Sequence, residues 1–267
     1  MSRIQSVLEG LKKSGEKAFV AYITAGDPSL DQTETFCQVL SDNGVDIIEL
    51  GVPFSDPLAD GPTNQLAAER ALASGTTLTK VLEKIKSMRS KGFETPIVIF
   101  SYLNPIFQLG YSNFASRCAD SGVDGALILD LPPEEAENYI KHMRGQDIDT
   151  VFLASPTTSH KRLDLISEET RGFLYYVSRT GVTGTQEAVS ESLEEEIHSL
   201  KKQVKVPIIV GFGISNTSQA RQVKMLADGI VIGSAIVKII EKNVTKSDTI
   251  GELSSFVGDI SKTVRNQ

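Results

Sequence analysis

Eight short apolar runs, rich in Val and Ile and evenly spaced, constrain this chain more than any other feature of its sequence. They occupy residues 19–23, 46–50, 96–100, 125–129, 150–153, 173–177, 207–210 and 229–232. Most lack polar alternation, the pattern of strands buried on both faces of a parallel sheet. Segments with helical spacing lie between them, among them 78–91, 133–144, 193–203 and 218–226. Strands alternating with helices predict an α/β fold, a closed (β/α)8 TIM barrel. The 267 residues suit a barrel of about 250. An open doubly wound sheet is the alternative topology, but no GxGxxG turn follows the first run. Residues 2–14 predict an extra N-terminal helix, a lid on the N-terminal end of the barrel, and 250–264 the final helix. With no linker or low-complexity segment, residues 1–267 are expected to form a single domain.

Composition narrows the partners. The net charge is −7 and no Lys/Arg-rich run occurs, which argues against nucleic acid or an anionic membrane. No stretch approaches the ~20 apolar residues of a membrane span and no secretory signal opens the chain, so a cytoplasmic protein is expected. Cys37 and Cys118 lack metal-type spacing and are expected to be reduced and buried.

A barrel of this kind places its chemistry at the C-terminal ends of the strands. Three glycine-bearing stretches fall there on late strands: Gly181-Val182-Thr183-Gly184, Gly211-Phe212-Gly213-Ile214 and Gly233-Ser234-Ala235-Ile236. Glycines let backbone N–H groups approach an anion. The last stretch opens a short helix predicted over 235–241, whose N-terminus favours phosphate. Glu49 falls near the end of the second run, where its carboxylate projects into the barrel mouth, either as a catalytic group or paired with an Arg or with loop N–H groups. The loop 51–62 that follows is stiffened by Pro53, Pro57 and Pro62 and carries apolar Phe54 and Leu58. It is either a rigid connector or an active-site loop delivering Asp56 or Asp60. Tyr102 and Tyr175, at the ends of the third and sixth runs, offer hydroxyls or core packing. His142, His160 and His198 fall in helices or helix starts, which disfavours a zinc site. No lysine falls at a strand end, which disfavours a Schiff base. Cofactor-free acid–base work by carboxylates on a phosphorylated substrate remains.

The run Glu49-Leu50-Gly51-Val52-Pro53-Phe54-Ser55-Asp56-Pro57-Leu58-Ala59-Asp60-Gly61-Pro62 resembles the signature of the tryptophan synthase alpha subunit. So do Ser178-Arg179-Thr180-Gly181-Val182-Thr183-Gly184, Gly211-Phe212-Gly213-Ile214-Ser215 and Gly233-Ser234-Ala235-Ile236-Val237. The resemblance runs in order from about Ala18 to Ile240. It implies a lyase of tryptophan biosynthesis that cleaves indole-3-glycerol phosphate by a retro-aldol step into indole and glyceraldehyde 3-phosphate. Indole then passes to a beta subunit in an alpha2beta2 complex, with pyridoxal phosphate expected only in that partner and no cofactor or metal in this chain.

On the family's pattern Glu49 is the acid–base residue, Asp60 accepts the indole N1–H bond, and Tyr175 is the pocket tyrosine. Phe212, Phe100, Leu127 and Leu153 form the apolar slot for the indole ring. Gly184, Gly213, Gly233 and Ser234 hold the phosphate, and Thr183 in loop 179–189 closes on Asp60. Pro53, Asp56, Asn104 and Phe107 face the beta partner. Two departures bear on the pocket and its coupling: Tyr22 stands where the family often has Phe, and Asn64 where an aliphatic residue is common. Two other roles compete. A catalytically silent subunit kept to activate its partner is opposed by Glu49, Asp60 and Tyr175 occurring together. A phosphate-binding barrel for another ligand is opposed by the apolar slot and the Asp60 loop.

Overall fold

Each of the eight apolar runs becomes a parallel strand in the computed structural model, which describes residues 1–178, 191–211, 213–243 and 248–265. The first half alternates β1 (Ala18–Thr24), α2 (Leu30–Asp42), β2 (Ile47–Gly51), α3 (Pro62–Ala73), α4 (Leu78–Ser90), β3 (Ile97–Ser101), α5 (Leu103–Leu109), α6 (Tyr111–Ser121) and β4 (Gly125–Ile128), after an opening helix α1 (Arg3–Ser14). The second half begins with α7 (Glu137–Gly145), β5 (Asp149–Val151), β6 (Leu153–Ala154) and α8 (His160–Glu169). It continues with β7 (Leu174–Val177), α9 (Glu191–Gln203), β8 (Ile208–Gly211), α10 (Thr217–Lys224) and β9 (Gly229–Ile232), and ends with α11 (Ser234–Asn243) and α12 (Thr249–Arg265).

The strand order β5-β4-β3-β2-β1-β9-β8-β7-β6 closes on itself. The run expected at 150–153 is divided at Phe152 into β5 and β6, which pair with β4 and β7 on opposite sides. The Phe152 carbonyl still accepts from Tyr175 N–H at 3.1 Å, so the two segments make one barrel strand and nine segments fill eight positions. The single helix expected over 133–144 is also divided. A short 3-10 turn at Pro133–Glu135 precedes α7, because Ala136 (φ −96°, ψ 1°) leaves helical geometry.

Alternation along each strand builds two cores. On β1, Phe19, Ala21 and Ile23 pack outward against the helices, while Ala18 and Val20 point inward. Inside, Ile47, Val98, Leu127, Val151, Phe173, Ile209 and Val231 fill the barrel as a packed interior rather than a channel. Its N-terminal end is closed by α1, whose Ile4, Leu8 and Leu11 are buried in the same cluster. Ser2 caps that helix in a reciprocal capping box with Gln5 and also donates to Asp149 of β5. Interior apolar packing thus seals one end and leaves polar side chains to the other. Cys37 and Cys118 are both free and buried, under helices α2 and α6. Among the described residues no helix is long and apolar enough to cross a membrane.

Candidate functional site

Glu49 lies two residues before the end of β2, with Tyr22 and Val98 as its register partners on the barrel's interior face. Its exposure is 0%, and neither carboxyl oxygen has a hydrogen-bond partner among the described residues. Neither the Arg pairing nor the loop N–H contacts open to it from sequence occur among the described residues. Burial without a compensating cation disfavours the charged form and pushes its pKa to about 8. At neutral pH this side chain is a neutral acid, able to give up a proton and, once ionised, to take one back.

The loop after β2 brings a second carboxylate to the mouth. Asp60 Oδ2 accepts from the Tyr102 hydroxyl at 2.9 Å, and that hydroxyl accepts from the Ala59 N–H at 2.9 Å. Asn64, one helical turn along in α3, donates to Asp60 Oδ1 at 3.4 Å. Gln65 donates to the Asp60 carbonyl at 2.8 Å. Phe54 packs on the Tyr102 ring with centroids 5.3 Å apart, so Tyr102 ties down both the loop backbone and its acid. Burial raises the Asp60 pKa, opposed by the bonds from Tyr102 and Asn64. Tyr102 is therefore a holder of Asp60, a role its position in the sequence left undecided between hydroxyl and core. Asp56, the other acid that the loop offers, is exposed and bonded to Ser55.

Between these groups lies a cavity of about 520 Å³, lined on one side by Tyr22, Glu49, Phe100 and Tyr175. Tyr22 and Phe100 meet edge to face at 4.9 Å, and the Tyr22 hydroxyl lies 3.2 Å from Thr24 Oγ1. Glycines make room for both tyrosines. A Cβ on Gly211 would lie 2.5 Å from the Tyr175 hydroxyl, and one on Gly51 would overlap the Tyr22 hydroxyl. Burial, and then the nearby Glu49, raise the Tyr175 pKa well above the usual phenol value, so it stays a neutral hydroxyl.

The opposite side of the cavity is lined by Gly213, Gly233, Ser234 and Lys238. Gly213 has φ +65°, a conformation costly for other residues. Ser234 begins α11, whose first-turn N–H groups have no helical acceptors and suit an anion. Arg70 of α3 fixes this end relative to the Asp60 loop. It binds both oxygens of buried Asp27 at 2.8 Å and Glu241 of α11 at 3.2 Å.

The structure therefore brings together Tyr22, Glu49, Phe100, Tyr175, Gly213, Gly233 and Ser234, with Asp60 held between the lining residues Ala59 and Gly61. Leu127 does not reach the cavity. It is fully buried in the interior core beside Phe100 and Val151. Leu153 is half-buried and lines a separate hollow near Pro132 and Arg162. Thr183, Gly184 and Phe212 lie outside the described residues, as does loop 179–189. Of the expected partner-facing residues, Asp56, Asn104 and Phe107 are exposed, but Pro53 is buried. It directly follows Val52, whose N–H is still bonded to the Phe100 carbonyl of the sheet at 2.8 Å. Sequence reasoning did not assign Thr63 or Lys238, both of which line the cavity. For Lys238 a signal existed: it follows Ser234 by four residues, on the same helix face.

Comparison with known proteins adds a family. Residues 8–265 match the sequence model described as the tryptophan synthase alpha chain. Over 266 residues the chain is 45% identical to the tryptophan synthase alpha chain of Geobacter sulfurreducens, covering 100% of both. It is 44% identical over 264 residues to that of Pelobacter propionicus, covering 99% of this chain and 98% of that one. Among solved structures, tryptophan synthase subunit alpha from Legionella pneumophila str. Paris aligns with a TM-score of 0.92 at 38% identity. That alignment covers 99% of this chain and 98% of the other.

Proposed function

The chain belongs to the tryptophan synthase alpha chain family, and from that premise we propose how its barrel mouth carries out the family's lyase reaction. The reaction cleaves indole-3-glycerol phosphate into indole and glyceraldehyde 3-phosphate. One observation carries the assignment of roles: a fully buried carboxyl, Glu49, without a partner among the described residues, faces a cavity whose far side is a glycine-lined helix N-terminus. That geometry suits a substrate held by its phosphate with its reacting carbon beside a neutral acid.

In this reading the Glu49 carboxyl protonates indole C3, leaving an indolenine with positive charge at N1. The resulting carboxylate takes the proton of the hydroxyl on the attached glycerol carbon. An aldehyde forms, the carbon–carbon bond breaks, and its electron pair returns to the indole ring and neutralises N1. The proton released to Glu49 restores the acid. Asp60 accepts the N1–H bond, and its negative charge stabilises the cation where low polarity strengthens the interaction. Tyr102 and Asn64 position that acid. Tyr175 packs beside the reacting atoms, Tyr22 and Phe100 flank the indole ring, and Leu127 supports Phe100 from below. The phosphate rests on Gly213, Gly233 and Ser234, with Gly184 completing the cradle, Phe212 adding to the apolar slot and Thr183 closing on Asp60, as the family's pattern assigns.

An alpha chain works with a beta subunit. We place this chain in an alpha2beta2 complex in the cytoplasm as a single barrel domain, without a cofactor of its own, passing indole to a pyridoxal-phosphate partner. Asp56, Asn104 and Phe107 supply the contact surface, together with Leu58, which is 94% exposed. Indole release from indole-3-glycerol phosphate, with and without a beta subunit, tests the reading. Turnover is expected in both conditions and faster with the partner. No turnover in either would refute it.

A further inference from the structure

We propose that Lys238 is the cation of the phosphate subsite, binding the substrate's phosphate directly rather than serving as a solvated surface charge. The inference rests on the lyase reading above and goes beyond the backbone cradle that the family pattern assigns. A phosphate monoester carries nearly two negative charges at neutral pH. Backbone N–H groups and a helix N-terminus supply only about half a positive charge. Glu49 in the cavity is a neutral acid at neutral pH and adds no countercharge, while the Asp60 carboxyl stands at the rim. A nearby full positive charge would complement the dianion beyond what the backbone supplies, and Lys238 is the only Lys or Arg among the described lining residues.

Its setting fits the task. Lys238 stands one turn after Ser234, on the same face of α11, and helical side chains lean toward the N-terminus, where the phosphate would sit. Val237 and Ile240 beside it are buried against the barrel, at 1% and 2% exposure, so the backbone that carries the lysine is anchored. Glu241, the acid at helical spacing from Lys238, is already committed to Arg70 at 3.2 Å. Lys238 itself makes no hydrogen bond or ion pair with any described residue, so its ammonium is available to a ligand.

Lys238→Met tests this through the phosphate alone. The KM for indole-3-glycerol phosphate is expected to rise about tenfold or more, the scale of one hydrogen bond to a charged group. The inhibition constant of inorganic phosphate should rise by a similar factor, and inhibition by indole, which carries no phosphate, should not change. Lys238→Arg should recover most of the loss. Unchanged KM and phosphate inhibition in Lys238→Met would overturn the proposal, as would a loss confined to kcat. Direct phosphate binding, followed by calorimetry on wild type and variant, separates the two readings. If wild type binds phosphate but releases no indole, the reaction fails while Lys238 is still tested.

Discussion

A carboxyl that is fully buried with no partner among the described residues keeps its proton, and the acid–base role proposed for Glu49 rests on that penalty. Its pKa stands at about 8 against an ordinary 4.5. The free protein therefore holds the acid form through neutral pH, and kcat/KM should fall as pH rises through about 8. Stability follows the same sign. The folded state binds this proton more tightly than the unfolded chain, so the stability from burying a neutral carboxyl is fully present below about pH 4.5. It is lost as pH rises through about 8. Glu49→Gln, which cannot ionise, should therefore gain in urea midpoint over wild type at pH 9 and not at pH 4. An equal difference at both pH values would show that the carboxyl finds a partner. The position of Glu49 at a strand end was legible in the sequence. Its lack of a partner among the described residues was not, because that depends on every other inward side chain at its level. Which of the two roles open to Tyr102 it takes was not legible for a related reason, since its hydroxyl meets an acid 42 residues away.

Among the elements, the strands carried the clearest sequence signal, because Val- and Ile-rich runs without alternation suit only a sheet covered on both faces. The opening helix was also legible over residues 2–14, and the structure adds the capping box of Ser2 and Gln5 at its start. The Arg70 clamp between α3 and α11 joins residues 43 and 171 positions apart, and no local pattern announces it. Gly211, at the end of β8, shows how element and site depend on each other. Read from sequence as part of a phosphate loop, it also gives the Tyr175 ring its place. Gly211→Ala should push that ring aside while the barrel still folds. We expect a stability loss of about 1–3 kcal/mol from overpacking in urea denaturation, and at least a tenfold fall in kcat/KM, about the effect of misplacing a group in the site. Unchanged kcat/KM would mean that Tyr175 has no part in the site.

The whole molecule has a sealed end and a working end. Helix α1 packs Ile4, Leu8 and Leu11 into the interior at one end. The cavity and its carboxylates lie at the other, with Leu58 on the loop after β2 and Phe107 on α5 after β3. Leu58 at 94% and Phe107 at 67% exposure stand out there on a protein of net charge −7, as expected of a surface that a partner covers. Phe107→Glu should leave indole release by the lone chain unchanged and weaken activation by the beta subunit about tenfold or more, the scale of a lost interface anchor. A beta-subunit titration that matches wild type would remove Phe107 from the interface. The central claim is the acid–base role of Glu49, and kcat for indole-3-glycerol phosphate cleavage by Glu49→Gln measures it most directly. With the fold verified by circular dichroism, kcat should fall at least about 100-fold, the lower range for losing a general acid–base. A correctly folded variant that turns over at a rate near wild type would contradict the account.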